Sequence, residues 1–250
     1  MKTFPFIILC ATGPLLPAQP EKPETGEVAP APKKDAEEQT VTIAEVLGKP
    51  IKANQSEALT SLIFTAMMEK YAKDNKIAAT DEEVETFLAK GDEMDKTTRE
   101  GFIKDRKRLE EELKSATLSD ADRKKKQEEL AMAEDVLKTM EQEADKPKKR
   151  DAEETKMARE FVRTWKVNRA LYKQYGGRVI FQQAGPEPLD AYRDFLRGEE
   201  AKGSFNIMDA EAKKVFWKYF TDDSMHTFLD AKEGAQAMEI PWWLKEQKPE

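Results

Sequence analysis

Residues 56–90 read "SEALTSLIFTAMMEKYAKDNKIAATDEEVETFLAK", and their spacing decides the fold class. Leu59, Leu62, Ile63, Ala66, Met67 and Tyr71 recur every three or four positions. That period places them on one face of a helix. Thr80 is followed three residues later by Glu83, and then by an apolar stripe of Val84, Phe87 and Leu88. A Thr/Glu pair at this spacing is a capping box, in which each side chain takes up an unpaired amide of a helix's first turn. The reading is helix, stop, capped helix: a mostly α chain.

Upstream, residues 41–51, "VTIAEVLGKPI", carry Val41, Thr42, Ile43, Val46 and Ile51 around a Gly-Lys-Pro turn. β-branched residues flanking a turn predict a short two-stranded β element. Residues 19–40 are Pro, Glu, Lys and Ala with almost nothing apolar, which predicts a disordered linker. Residues 1–18 place Lys2 before an apolar run from Phe4 to Leu16, the layout of a secretory signal peptide cleaved after Ala18. The run is too short, and too interrupted by Pro5, Gly13 and Pro14, to span a membrane. Leu9 precedes Cys10 where a lipoprotein signal wants a small residue, so lipidation is not expected. Cleavage would remove the sole cysteine and leave no thiol or disulfide chemistry. The expected location is outside the cytoplasm, in a bacterial periplasm or cell envelope, with no integral membrane span after cleavage.

Downstream, residues 91–150 are dense in charge. Phe102, Leu109, Leu113 and Ala116, then Leu130, Ala133, Leu137 and Met140, form two narrow seams, with Ser119 or Asp120 as a cap between them. This predicts an inserted antiparallel helical hairpin within a domain spanning 41–250. A long helix follows from Asp151, with Met157, Phe161, Val162, Trp165, Leu171, Tyr172 and Tyr175 on its apolar face. In "YGGRVIFQQAGPEPLDAY", residues 175–192, only Arg178, Glu187 and Asp190 carry charge. Gly176 and Gly177 read as a helix stop. "RVIFQ" reads as a strand able to pair near Val41–Val46, and "GPEPLDAY" as a helix start with prolines in its first turn.

Formal net charge is -7, with 42 basic and 49 acidic residues interleaved. This excludes a field suited to nucleic acid. The single histidine, His226, lies four residues after Asp222. Two ligands make no metal site, and the simpler reading is a helix-end histidine with Asp222 and Asp223 capping the next turn. There is no Gly-x-Ser-x-Gly elbow and no glycine-rich phosphate loop. Neither a catalytic activity nor a cofactor is expected. The aromatic side chains gather in the last hundred residues, where most must be core. The alternative use is a groove for apolar segments of other proteins, with methionines as adaptable contacts. Met67, Met68, Tyr71, Trp165, Tyr172, Phe181, Phe216, Trp217 and Phe220 are the candidate peptide-binding residues.

The stretch 41–90 resembles the opening of the SurA/PrsA-type periplasmic chaperones, whose fold is related to the trigger-factor peptide-binding domain. The residues carrying the resemblance are Leu47 to Ile51, Lys76, Ile77 and Thr80 to Val84. The helix 151–175 followed by "RVI" is similar to the return helix and strand closing that domain. No parvulin isomerase module is recognisable, so prolyl isomerase activity is not implied. The resemblance implies a SurA N-terminal-like helical domain that holds unfolded or partner polypeptides. The reading set against it is a structural envelope protein that self-associates through the charged hairpin.

Overall fold

A computed structural model describes residues 41–144, 150, 152–182 and 184–245. The expected signal peptide and linker lie outside the described residues. The chain is mostly helical, in the order β1 (Thr42–Val46), β2 (Lys49–Lys52), α1 (Leu59–Asp74), α2 (Asp81–Leu113), α3 (Asp120–Ala144), α4 (Ala152–Tyr175), β3 (Ile180–Gln182), β4 (Gly185–Glu187), α5 (Leu189–Ala201), β5 (Phe205–Ile207), α6 (Ala210–Thr221) and α7 (Ala231–Glu239). It divides into two compact units. Among the described residues, one comprises those within 80–160, and the other joins 41–79 with those within 161–245.

The smaller unit is built on α2 and α3. The Thr80 hydroxyl accepts from the Glu83 amide at 3.2 Å, and the Glu83 carboxylate accepts from the Thr80 amide at 2.8 Å. Helix α2 then runs unbroken for 33 residues. A helix break near position 91 does not occur. Gly91 and Gly101 each cost only about 1 kcal/mol in a helix interior, which a long amphipathic helix absorbs. Ser119 caps α3, as its hydroxyl accepts from the Asp122 amide at 3.1 Å. The two helices run antiparallel: Arg99 pairs with Glu141, and Lys126 with Glu112. Leu109, Ala133 and Leu137 are buried along the seam. Phe102, Leu113, Leu130 and Met140 are half-buried, and Ala116 is exposed beyond the end of α2.

The larger unit holds the main core. Ile63, Met67, Leu171, Ile180, Leu189, Leu196, Phe205 and Phe216 are essentially inaccessible within it. Strands β1 and β2 form the expected hairpin, turning at Leu47 and Gly48 with φ of 49° and 75°. Two successive left-handed residues match the right-handed twist of the strands they join.

Two expectations about residues 178–192 need correction. Strand β3 does not pair with β1. The second edge of β1 is taken by β5, with Ala44 opposite Ile207 and Val46 opposite Phe205. Strand β3 pairs instead with β4, from which it is separated by only two residues. A local pairing closes a shorter loop and loses less chain entropy. "FNI" also has the alternation a half-buried strand needs, with Phe205 and Ile207 inward and Asn206 outward. Second, "GPEP" is strand rather than helix: α5 starts at Leu189, after Pro188. A proline drives the residue before it out of the α region. Pro188 therefore keeps Glu187 out of the helix, while Gly185 takes a φ of 114° that glycine alone adopts readily.

Candidate functional site

A recess of the larger unit lies where α1, α4, α5 and α6 meet the β3–β4 hairpin. It has a volume of about 60 Å³. Helix α1 contributes Thr60 and Phe64, one turn apart, and α4 contributes Thr164 and Asn168 at the same spacing. Tyr192 comes from α5, Tyr219 and Phe220 from α6, and Ala184 and Glu187 from the hairpin.

The aromatic walls are set by packing. Tyr192 meets Phe64 edge-on, with ring centres 4.9 Å apart, and Phe64 stacks on Phe220 at 6.0 Å. Tyr219 stands edge-on to Phe220 at 5.1 Å. Such offset and edge geometries bring ring hydrogens onto ring faces and add to the burial gain. His226 braces the far side of Tyr219: its Nε2 lies 2.7 Å from the Tyr219 carbonyl oxygen. A carbonyl only accepts, so this nitrogen carries the proton. The other ring nitrogen, Nδ1, is buried without a partner.

Asn168 is the polar pin of the site. It is buried, donates to the Pro186 carbonyl at 3.1 Å and accepts from the Tyr192 hydroxyl at 2.6 Å. One amide thus ties β4 and α5 to α4. Burial raises the Tyr192 hydroxyl well above the usual tyrosine value, with the Glu187 charge adding to the effect. Tyr219 is raised for the same two reasons.

Glu187 differs from the rest of the lining. It makes no hydrogen bond or ion pair with any described residue, and burial alone pushes its carboxyl up to about 7. An acid near neutrality in an aromatic recess changes charge across the physiological range. When ionised it favours a cation or an N–H donor brought in from outside.

Of the nine residues proposed from sequence, only Phe220 lines this recess. Met67, Tyr71, Trp165, Phe216 and Phe220 are buried. Met68, Tyr172 and Trp217 are half-buried, and Phe181 is 53% exposed. Trp217 carries the Arg197 guanidinium 5.8 Å from its ring centre. Phe216, Trp217 and Phe220 pack on one another, with ring centres 5.1 to 6.2 Å apart. Phe64, Asn168, Glu187, Tyr192 and Tyr219 line the recess but are not among those nine. One signal was available: Glu187 is among three charges in residues 175–192. The other two, Arg178 and Asp190, pair with each other at 2.9 Å, while Glu187 has no such partner.

Asp222 and His226 do not share a helix face, because α6 ends at Thr221. Asp222 instead caps the following turn by accepting from the Ser224 amide at 3.1 Å. Among the described residues no cluster of three or more His, Cys, Asp or Glu could hold a metal ion. No helix among them is long and apolar enough to cross a membrane. Comparison with protein-family models, curated proteins and solved structures finds no match to the chain.

Proposed function

We propose that this chain binds polypeptide without catalysing a reaction on it, and that the recess beside Glu187 receives one side chain of the bound segment. The carrying observation is the combination of a ring-lined cavity of about 60 Å³ with an unpartnered acid on its wall. That volume suits a small apolar group, and an apolar anchor in a pocket is the usual source of affinity in peptide recognition. The Glu187 carboxylate adds selectivity for a neighbouring lysine, arginine or backbone N–H, because a buried charge is stabilised by a donor that replaces water. Val215, 66% exposed, precedes Tyr219 by one turn on α6 and extends the apolar surface from the pocket rim.

The helix, capping box and helix at 59–88 and the return helix α4 support a chaperone-like holding domain of SurA/PrsA type acting outside the cytoplasm. The test is binding of fluorescent peptides that place an apolar residue beside a basic one, together with protection of a denatured client from aggregation. Thr164 is exposed on the rim, so Thr164→Phe fills the opening without repacking the core. The expected result is peptide binding and client protection by the wild-type chain, and loss of both in Thr164→Phe with unchanged thermal stability. Absence of peptide binding and of protection in the wild type sinks the reading.

A further inference from the structure

The recess beside Glu187 carries a chemistry more specific than apolar. Phe64, Tyr192, Tyr219 and Phe220 give it four aromatic walls from three helices. Phe64 stands at 79° to Tyr192, and Tyr219 at 89° to Phe220, while Phe64 and Phe220 lie within 25° of parallel. Rings meeting near right angles form a corner, which fits a rounded group better than a flat one. Glu187 is the one charged side chain among the lining residues, and it has no partner among the described residues. A ring face carries negative charge density and attracts a cation, most strongly where water is excluded. Rings and carboxylate thus favour the same occupant, one that joins positive charge to apolar surface.

Size and hydrogen bonding narrow the choice. One water needs about 10–15 Å³ on this measure, so about 60 Å³ holds roughly four to six non-hydrogen atoms. An ammonium nitrogen with its methyl groups falls within that range. A guanidinium is flat and brings five N–H donors that all need acceptors. The Asn168 side-chain oxygen is already taken by the Tyr192 hydroxyl, so it is no ready acceptor for them. Methyl groups make no such demand. They spread the positive charge over apolar surface and gain from contact with rings, which is the chemistry by which aromatic cages hold quaternary ammonium groups.

We infer that the recess walled by Phe64, Tyr192, Tyr219, Phe220 and Glu187 binds a methylated ammonium head, carried by a small molecule or by a methylated lysine of a bound segment. The inference rests on the peptide-binding reading where the head belongs to a lysine, and stands without it where the head is free. Binding follows the charge of Glu187. Thr60 from α1, with Thr164 and Asn168 from α4, carries no charge. The Tyr192 and Tyr219 hydroxyls, from α5 and α6, are raised by burial and stay neutral. The Glu187 carboxyl, at about 7, ionises as pH rises past neutrality and attracts the cation only then.

The test is calorimetric titration of the purified chain, at fixed ionic strength, with choline and with the dimethylbutanol of the same shape, in which carbon replaces the nitrogen. Peptides identical except for trimethyl-lysine or norleucine at one position form a second arm. The expected result at pH 8 is saturable binding of the ammonium form, about tenfold tighter than its neutral counterpart. That preference should shrink at about pH 5.5, where Glu187 is protonated. Glu187→Gln should weaken ammonium binding about tenfold at pH 8 and remove its pH dependence, and Thr164→Phe should abolish binding. Trimethyl-lysine peptide tighter than choline assigns the head to a polypeptide, and the reverse order assigns it to a small molecule. Choline binding without binding of either peptide supports the ammonium site and overturns the peptide reading alone. Peptides bound with no preference for trimethyl-lysine over norleucine, and no choline bound, overturn the ammonium site and leave the peptide reading in place. Equal affinity for both members of each pair, or unchanged affinity in Glu187→Gln, also overturns the inference.

Discussion

Gly177 packs directly against Asp190: a β-carbon at position 177 would stand 2.4 Å from the Asp190 Cβ. The close approach lets the Asp190 carboxylate accept from the Arg178 amide at 2.8 Å and from the Arg178 Nε at 2.9 Å. The same guanidinium makes a two-pronged pair with Asp223, at 2.7 and 2.9 Å, and lies over Phe228 at 4.1 Å. Burial opposes ionisation of Asp190, but its bonds from Arg178 outweigh this and hold the carboxyl below its usual range.

The glycine pair therefore separates into two roles, and alanine substitution distinguishes them. Both residues have positive φ, 69° at Gly176 and 94° at Gly177. Nothing lies within 4 Å of a Cβ at Gly176. Gly176→Ala should cost only the backbone preference, about 1 kcal/mol. Gly177→Ala adds a steric overlap and should cost roughly 2–4 kcal/mol. All four tryptophans, Trp165, Trp217, Trp242 and Trp243, lie in the larger unit. Denaturation followed by their fluorescence reads these costs for that unit. Equal costs at the two positions would refute the packing argument.

Glu187 should make the larger unit less stable as pH rises. Its carboxyl is raised from 4.5 to about 7 in the folded chain. The native state thus binds more protons than the unfolded state between those values, and stability present below 4.5 is lost as pH rises through 7. Glu187→Gln removes the titration. It should stabilise the unit at pH 8 by about 2–3 kcal/mol and have little effect at pH 4. Denaturation at the two pH values checks this; a variant with the wild-type pH dependence contradicts it.

Glu199 should act in the opposite sense. It is 2% exposed and accepts from Lys202 at 2.8 Å and Ser204 at 2.7 Å, with Lys70 at 3.1 Å. Burial works against its charge, but these donors prevail and lower it from 4.5 to about 2. Its stabilisation is present above 4.5 and is lost as pH falls through 2. Glu199→Gln should cost about 2 kcal/mol at pH 7 and make unfolding less sensitive to acid between pH 4.5 and 2. Acid titration of the tryptophan fluorescence reads both effects.

Tyr192→Phe should cost about 1–2 kcal/mol, because it leaves the Asn168 side-chain oxygen buried without a donor. Asn168→Ala should cost more, since the Pro186 carbonyl also loses its partner. A double-mutant cycle on the pair should give a coupling of about 1 kcal/mol. Additive costs would show that the 2.6 Å bond contributes nothing specific.

Much of the fold was legible because its signals are local. Capping at Thr80 and Ser119, the seams of α2 and α3, and the β1–β2 hairpin each depend on residues within a few positions of one another, although the turn falls at Leu47 and Gly48 and the expected turn residues Lys49 and Pro50 are strand. Strand partners were not legible. Which of β3 and β5 completes the sheet on β1 is decided by loop closure and by burial of Phe205 and Ile207, not by the strand character of "RVIFQ". The candidate peptide-binding surface was read from large rings, of which Tyr71, Trp165, Phe216 and Phe220 are core.

By itself the sequence determined a mostly helical chain, its hairpin insertion and the capped starts of α2 and α3, because helix periodicity and capping are short-range. Only the tertiary structure decided which side chains face a cavity. Glu187 looks ordinary in a chain that is 36% charged. It acquires its character where residues from distant segments exclude water, and the energy of a charged group depends on what replaces that water.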